Sequence, residues 1–139
     1  MKLILRAWLP DRKKMLHHDE ISLTEGRVFE RIYDPRTGMN SFARDNAVPM
    51  ISLGAKDRNK KLIYSGDVVK RIIPLGIAIG VVVVHNGVFK LECATYIYES
   101  FKEKNLIPLS TYAQRYEVLG NIYEDPALLK EYSELIESK

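Results

Sequence analysis

The sequence predicts a mainly β (α+β) fold: a small SH3-like bent barrel with an N-terminal β extension and a C-terminal helix. Three observations predict it. Several short β-branched runs follow one another closely between residues 62 and 123, as they do in small barrels. An Asn-Gly dipeptide at residues 86–87 separates two apolar runs, which is typical of a β-hairpin turn. After Asp125, apolar residues recur at helical spacing.

The hairpin around Asn86 and Gly87 can be predicted residue by residue. A two-residue turn fixes which residues of the two strands lie opposite each other. One face of the hairpin is then apolar and is expected to belong to the core. The other face carries Val81 and Val83 beside charged residues, so we expect another element or another subunit to cover it. The pairs predicted on the core face are Val84 with Phe89, Val82 with Leu91 and Gly80 with Cys93.

Further strands are predicted on both sides of this hairpin. In the last of them, Gly120 indicates a bulge or a sharp bend. Residues 25–48 show only a weak pattern around a turn at residues 34–38, which predicts a long arm or an insertion. The additional strands are predicted at residues 3–8, 15–16, 62–64, 68–73 and 116–123.

The chain of 139 residues is expected to fold as one domain. Its predicted parts are N-terminal strands with a variable arm (residues 1–50), a barrel core (51–124) and a C-terminal helix (125–139). Asp125 is the candidate N-cap of that helix, and Pro126 is its first residue. Its apolar stripe docks either on its own domain or on a partner subunit. The stripe consists of Leu128, Leu129, Tyr132, Leu135 and Ile136.

The composition is that of an ordinary folded domain. Apolar residues make up 46% of the chain, and 21 basic residues face 18 acidic ones, for a net charge of +3. This balance excludes the disordered class, and it neither requires nor excludes nucleic acid as a partner. The single cysteine allows no intrachain disulfide, and Arg6 interrupts an N-terminal run that otherwise resembles a signal peptide. Since no run approaches the ~20 apolar residues of a membrane span, we expect a cytoplasmic protein without a membrane partner.

No catalytic, phosphate-binding or zinc-binding motif occurs in the sequence, so we expect no enzymatic activity, no metal and no cofactor. Asp57 and Asp67 are interpreted as turn residues whose carboxylates bind backbone N–H groups. Residues 17–20, His-His-Asp-Glu, are interpreted as an exposed connection, because neighbours on a strand point to opposite faces and chelate poorly. Cys93 is interpreted as a buried structural thiol and His85 as a hairpin-end residue.

Basic residues at the turns leave a second type of function open. Small β-barrels bind nucleic acid with basic loops and with aromatic side chains on which bases stack, and Trp8, Tyr64, Tyr96 and Tyr98 are of that kind. The other interpretation is that the basic residues are solvated and that Trp8 and Tyr64 belong to the core. It is favoured because acidic residues interleave with most of the basic ones. The residues assigned to nucleic acid in the alternative are Arg58, Lys60, Lys61, Lys70 and Arg71.

Three blocks of the sequence carry a family resemblance. They are residues 5–8 (Leu-Arg-Ala-Trp) followed by Lys13-Lys14-Met15, residues 54–69 (Gly-Ala-Lys-Asp-Arg-Asn-Lys-Lys-Leu-Ile-Tyr-Ser-Gly-Asp-Val-Val), and residues 118–129 (Val-Leu-Gly-Asn-Ile-Tyr-Glu-Asp-Pro-Ala-Leu-Leu). In this order they resemble the YopX family, small proteins encoded mainly by bacteriophages and prophages of Gram-positive hosts.

The resemblance implies a mainly β, barrel-like core, a phage origin and self-association. It brings no established activity and no catalytic residues. The chain departs from the family pattern at Leu53, Ala55 and Lys60, where Thr, Leu and Gly are usual. The last departure matters physically, because Asn59-Lys60 suits a tight type I′ turn less well than Asn-Gly does.

The leading hypothesis is a non-catalytic phage accessory protein in the cytoplasm of the bacterial host. We expect a small self-associating β module, a homo-oligomer that binds a host or phage protein. A nucleic-acid-binding module that uses the basic turns is the alternative, and an enzyme of unrecognised type is a third hypothesis. The residues predicted to mediate self-association are Val81, Val83, Leu128, Tyr132 and Leu135.

Overall fold

The computed structural model describes residues 4–52, 54–73, 76–85, 88–96, 106–108, 115–128 and 130–131. Among these residues the chain forms eleven β-strands in three antiparallel sheets, together with one short 3-10 helix. The prediction of a mainly β protein is confirmed. The fold divides into two compact units, residues 2–51 and residues 52–139. We call them the N-terminal unit and the C-terminal unit.

Six strands belong to the N-terminal part of the chain: β1 (Ile4–Leu9), β2 (Lys14–Leu16), β3 (Ile21–Thr24), β4 (Arg27–Asp34), β5 (Gly38–Ala43) and β6 (Val48–Ser52). They form two three-stranded sheets, in the orders β2-β1-β6 and β3-β4-β5. Strand β1 pairs with β2, and Ala7 lies opposite Leu16. This pairing confirms the two strands predicted at residues 3–8 and 15–16.

The core of the N-terminal unit combines side chains from β1 to β4. Between β2 and β3 lies the 3-10 helix His18–Glu20, where the Oε1 atom of Glu20 accepts the N–H of His17 at 3.1 Å. Alternation along β1 sends Ala7 and Leu9 to the same face, where both are buried. The buried cluster consists of Ala7, Leu9, Leu16, Ile21 and Val28.

Strands β3 to β5 form a regular meander where the sequence predicts an arm. Strand β4 pairs with β5 over six residue pairs, the last of which is Asp34 opposite Gly38. The turn predicted at residues 34–38 closes this hairpin: the Oδ1 atom of Asp34 accepts the N–H of Arg36 at 2.8 Å. Gly38 has a φ of 86°, a left-handed conformation that glycine adopts without strain.

Five described strands belong to the C-terminal unit: β7 (Asp67–Ile73), β8 (Gly76–His85), β9 (Val88–Tyr96), β10 (Leu106–Pro108) and β11 (Tyr116–Asn121). They form one sheet in the order β10-β9-β8-β7-β11. Val82 and Leu91 are buried as predicted, whereas Val84 is 44% exposed, so the core face ends before the hairpin turn. The predicted register of β8 and β9 is confirmed: Gly80 lies opposite Cys93, Val82 opposite Leu91 and Val84 opposite Phe89.

Strand β7 is covered on both faces. Its neighbouring residues Val68 and Val69 point to opposite sides of the sheet, and both are fully buried. On one side of the sheet, Val68 packs with Ile79 and Leu128 in a cluster that we call the second cluster. Val81 packs against it. The outer face of the β8–β9 hairpin at Val81 is therefore covered in part by Leu128, in the segment that follows β11. The first cluster consists of Val69, Ile63, Val82, Leu91 and Tyr116.

The strand predicted at residues 116–123 is confirmed as β11, which pairs with β7. Its register shifts between Val118 and Gly120, so the predicted bulge is also present. The strand predicted at residues 62–64 is not formed. In its place a single β-bridge joins Leu62 to Lys56.

One part of the fold prediction is wrong, and another is not confirmed. The described strands form three antiparallel sheets, and the bent SH3-like barrel stays a prediction. The part that is wrong is the C-terminal helix, which is not formed as an element by the described residues 125–128 and 130–131. Residues 126–127 form a turn, and helical conformation within the described part of this segment is limited to Leu128, Lys130 and Glu131, where the N–H of Glu131 donates to the carbonyl oxygen of Ala127 at 3.0 Å. Of the predicted apolar stripe, Leu128 is the residue that the structure describes, and it is buried. The remainder of the predicted helix lies outside the described residues.

Candidate functional site

Asp57 lies at the centre of the loop that precedes β7, and it is buried despite its charge. Its Oδ1 atom accepts the N–H groups of Asn59 at 2.8 Å and Lys61 at 2.9 Å. Its Oδ2 atom accepts the N–H of Val118 at 2.8 Å, although Val118 lies 61 residues further along the chain, in β11. These charge-assisted hydrogen bonds close the loop and attach it to the sheet. The interpretation of Asp57 as a turn residue is confirmed.

The loop reverses direction at Arg58 and Asn59, between Asp57 and Lys60. The N–H of Lys60 donates to the carbonyl oxygen of Asp57 at 3.0 Å, and the N–H of Asp57 donates to that of Lys61 at 2.8 Å. Lys60 has a φ of 65°, in the left-handed region, whereas Asn59 has no positive φ. The turn is therefore a type I turn followed by a left-handed residue. It is not a type I′ turn, the type that the family's usual Asn-Gly dipeptide favours.

We expect Lys60→Gly to raise the free energy of unfolding by up to ~1 kcal/mol. A left-handed backbone costs a residue with a Cβ atom about 1–2 kcal/mol, and the greater unfolded-state entropy of glycine offsets part of that gain. Urea denaturation followed by circular dichroism measures the change. Lys60→Ala is the matched control, because it removes the same charge and keeps the Cβ atom. Equal stability of the two variants would contradict the strain argument.

Asp67 fixes the bend at the start of β7. Its Oδ2 atom accepts the N–H of Tyr64 at 2.8 Å, and its own N–H donates to the carbonyl oxygen of Tyr64 at 3.1 Å. The preceding Gly66, with a φ of 89°, donates its N–H to the carbonyl oxygen of Val82 at 2.8 Å and accepts the N–H of Ile122 at 3.1 Å. The Gly-Asp pair thus joins this bend to β8 and to the segment after β11, which confirms the interpretation of Asp67 as a turn residue.

The turn after β11 is organised by the side chain of Asn121. Its Oδ1 atom accepts the N–H groups of Tyr123 at 3.1 Å and Glu124 at 2.8 Å, and its Nδ2 atom donates to the Oε1 atom of Glu124 at 2.8 Å. This turn leads the chain to Leu128, which packs against Gly120. A Cβ atom added at Gly120 would lie 2.5 Å from the Cδ2 atom of Leu128. Residues 118–129, the third block of the family resemblance, therefore have a structural role, because Leu128 packs against Gly120.

Basic side chains surround the Asp57 loop. Lys56, Arg58, Lys60 and Lys61 are exposed, and none of them forms an ion pair with another described residue. Three of them, Lys56, Arg58 and Lys60, line one shallow depression together with Asp57. We call residues 54–61 the basic loop. Its cations are available to an anionic ligand from solvent.

Lys70 and Arg71, predicted to act with this loop, are already engaged in the sheet. The Nζ atom of Lys70 lies 3.6 Å from the Oε2 atom of Glu117, and both side chains are partly buried. The guanidinium group of Arg71 lies 5.7 Å from the centre of the Tyr116 ring, in a cation–π contact. The structure therefore separates the five residues predicted for nucleic acid into three unpaired ones in the basic loop and two with partners on β7.

A second surface, which is not among the predicted sites, lies on β4 and β5 in the N-terminal unit. Tyr33 and Met39 lie directly opposite each other on one face, and Ile32 and Phe42 lie diagonally on the other. The signal in the sequence is the placement of apolar residues on both sides of the turn at residues 34–38. We call this surface the exposed hairpin. The exposed fractions are 40% for Ile32, 66% for Tyr33, 53% for Met39 and 45% for Phe42.

The histidines and the cysteine are not assembled into a site by the described residues. No group of three or more His, Cys, Asp or Glu that could hold a metal ion occurs among them. The Nδ1 atom of His18 accepts the N–H of Leu5 at 3.3 Å, a structural role. The side chains of His85 and Cys93 lie outside the described parts of the structure. No helix of the described chain has the length and apolar character needed to cross a membrane.

Three of the five residues predicted to mediate self-association lie in the described part of the C-terminal unit. Leu128 is buried, and Val81 packs against the cluster that contains it. Val83 is half-buried in β8. Tyr132 and Leu135 lie outside the described residues. A role of these five residues in self-association stays a prediction.

A family model described as YopX protein matches residues 5–130 of the sequence. The chain belongs to the YopX family. The matched region contains both the basic loop and the exposed hairpin, so both surfaces lie within the YopX domain. No curated protein matches the sequence.

Two solved structures are similar to this YopX-family chain. Protein EF1440 from Enterococcus faecalis superposes with a TM-score of 0.60 and 22% sequence identity, over 93% of this chain and 99% of the other. Protein yopX from Bacillus subtilis superposes with a TM-score of 0.64 and 19% identity, over 91% of this chain and 97% of the other. At these identities the similarity shows a shared fold.

Proposed function

We propose that this YopX-family protein is a non-catalytic accessory protein of phage or prophage origin. It self-associates and binds a host or phage protein in the cytoplasm of the bacterial host. Family membership supports the origin. One observation carries the proposed self-association, namely the exposed hairpin with its outer strand β5.

Strand β5 is an outer strand that lacks the usual protection. Its sequence, Gly-Met-Asn-Ser-Phe-Ala, contains no charged residue and no proline, and its pairing with β4 shows no register shift. Soluble proteins normally protect outer strands with charged side chains, proline or bulges, because unpaired N–H and C=O groups recruit further strands. The outer edge of β5, which pairs with no other described strand, therefore favours pairing with a strand from another molecule.

Apolar side chains beside this edge favour a second copy of the chain as the partner. Met39 and Phe42 project from β5 to opposite faces, and Tyr33 and Ile32 stand next to them on β4. Antiparallel pairing of β5 with β5 of a second copy obeys two-fold symmetry, so the same segment supplies both sides of the contact. Such pairing covers apolar surface that monomeric proteins rarely leave exposed as a patch.

We expect the wild-type protein to be a dimer or larger oligomer and Ser41→Lys to be a monomer of 16.0 kDa. Ser41 is exposed on β5, and a lysine on an outer strand opposes further strand pairing. Size-exclusion chromatography with light scattering, over a series of protein concentrations, measures the mass of each form.

Thr24→Lys is the matched control for this experiment. Thr24 is also exposed on an outer strand, β3, of the same sheet, so the substitution adds the same charge at the opposite edge. We expect it to leave the oligomer intact. A wild-type protein that stays monomeric at every concentration, or an equal loss of oligomer in both variants, would show that β5 is not the contact.

A further inference from the structure

The basic loop carries as much net charge as the whole chain. Residues 54–61 contain four of the 21 basic residues and one of the 18 acidic residues, so the net charge of the loop is +3. The rest of the chain holds 17 residues of each sign and is neutral overall. The positive charge of this protein is therefore concentrated in one short segment, as in proteins that bind a polyanion.

The loop holds these cations on a fixed backbone. Its turn is closed by the hydrogen bonds around Asp57, and the Oδ2 atom of Asp57 ties it to Val118 in the sheet. The N–H of Arg58 also donates to the carbonyl oxygen of Tyr116 at 3.0 Å. Because the Asp57 carboxylate already accepts three N–H groups, it leaves the neighbouring cations unpaired within the described structure. A pre-formed loop loses little conformational entropy when it binds.

We infer that the basic loop binds the phosphate backbone of duplex nucleic acid without reading its sequence. Lys56, Arg58 and Lys60 line a single depression, and Lys61 is exposed next to it. Cations placed against phosphates release the counterions that surround the duplex, and this release drives binding. The inference is independent of self-association, which concerns the exposed hairpin.

Two features of the loop decide between classes of partner. Residues 54–61 contain no aromatic residue, and single-strand binding relies on aromatic side chains that stack on bases. They also contain no large apolar residue, while three of the eight are lysine. Protein interfaces are enriched in aromatic residues and depleted in lysine, so an acidic protein segment is a poorer match to this surface than a row of phosphates.

The experiment measures fluorescence anisotropy of a short labelled DNA duplex with the wild-type protein at several salt concentrations. Four phosphate contacts predict a slope of about −3.6 for log K against log salt. Of the four cations in the loop, the variant Arg58→Gln/Lys60→Gln/Lys61→Gln keeps only Lys56. Its slope is therefore expected to be shallower, about −0.9. Loss of binding for every form at low salt, or an unchanged slope in this variant, overturns the inference.

A charge-matched control separates the loop from the overall charge of the protein. Lys13→Gln/Lys14→Gln/Lys130→Gln removes three positive charges from exposed positions outside the basic loop and the exposed hairpin, and it lowers the net charge by the same amount. We expect this control to keep the slope of about −3.6. An equal reduction in both triple variants overturns the assignment of binding to the basic loop.

Lys60→Gly separates a binding defect from a folding defect. It removes one cation and is expected to stabilise the turn, since the φ of Lys60 is 65°. The magnitude of its slope should therefore be smaller than that of the wild type by about 0.9. Its folded state should be at least as stable as that of the wild type. Polyglutamate or single-stranded DNA is then tested in place of the duplex. Binding of either one as tightly as the duplex overturns the choice of duplex nucleic acid.

Discussion

Asp57→Ala is expected to lower the free energy of unfolding by about 3–4 kcal/mol. The carboxylate accepts three N–H groups, and one of them, from Val118, lies in the sheet far from the loop in sequence. Alanine leaves all three donors without this acceptor. Water can replace it at the exposed residues Asn59 and Lys61 more easily than at Val118, which lies in the sheet, so the loss of the bond at Val118 costs more. Urea denaturation followed by circular dichroism measures the loss.

Asp34→Ala is the matched control for Asp57→Ala. Asp34 also closes a hairpin turn, but its side chain accepts a single N–H, from Arg36, at 2.8 Å. We expect this control to lose about 1 kcal/mol or less. Equal destabilisation by the two substitutions would contradict the larger structural role assigned to Asp57, which accepts the N–H of Val118 as well as two N–H groups of its own loop.

The part of the fold that the sequence predicts well is controlled by local turn chemistry. Asn86-Gly87 leaves a two-residue loop between β8 and β9, and that loop length determines the register of both strands. Asp57 and Asp67 were correctly interpreted as turn residues for a similar reason, because carboxylates bind nearby N–H groups. The hydrogen bond that the N–H of Val118 donates to Asp57 could not be predicted, since no local pattern relates residues 61 positions apart.

The meander β3–β5 was missed because its sequence pattern conflicts with its structure. Residues 27–34, Arg-Val-Phe-Glu-Arg-Ile-Tyr-Asp, place apolar pairs four residues apart, a spacing that does not alternate as a half-buried strand does. The strand forms because the turn at residues 34–38 brings β5 alongside it, and pairing overrides the local pattern. The same pattern leaves Ile32 and Tyr33 exposed on opposite faces, and these residues belong to the exposed hairpin.

The predicted C-terminal helix is a case in which local signals are present but the described residues do not form the element. Its local signals, Asp125-Pro126 and an apolar stripe, are typical of a helix start. In the structure the side chain of Asn121 organises the preceding turn, and Leu128 is buried against β7 and β8. Leu128, the first residue of the predicted apolar stripe, thus docks on its own domain, which is one of the two outcomes that the periodicity leaves open.

Leu128→Ala is expected to lower the free energy of unfolding by about 3 kcal/mol, because it leaves a cavity beside Val68 and Ile79. Chemical denaturation at several protein concentrations is the measurement. A contact within one chain gives a loss that does not depend on concentration, whereas a subunit contact gives one that does. Since Leu128 packs inside the C-terminal unit, we expect the first result, which would remove Leu128 from the residues predicted to mediate self-association.

Gly120→Ala tests the same contact from the other side. Gly120 has a φ of 157°, and a Cβ atom there would lie 2.5 Å from the Cδ2 atom of Leu128, so we expect a loss of about 2 kcal/mol. In the Leu128→Ala background the overlapping methyl group is absent, and Gly120→Ala should cost about 1 kcal/mol less. Strictly additive losses would show that the two residues do not press on each other. A coupling of the expected size would show that Gly120 and Leu128 pack together in the core of the YopX domain. Residues buried in this way are not available to a ligand or partner, which leaves the basic loop and the exposed hairpin as the candidate binding surfaces.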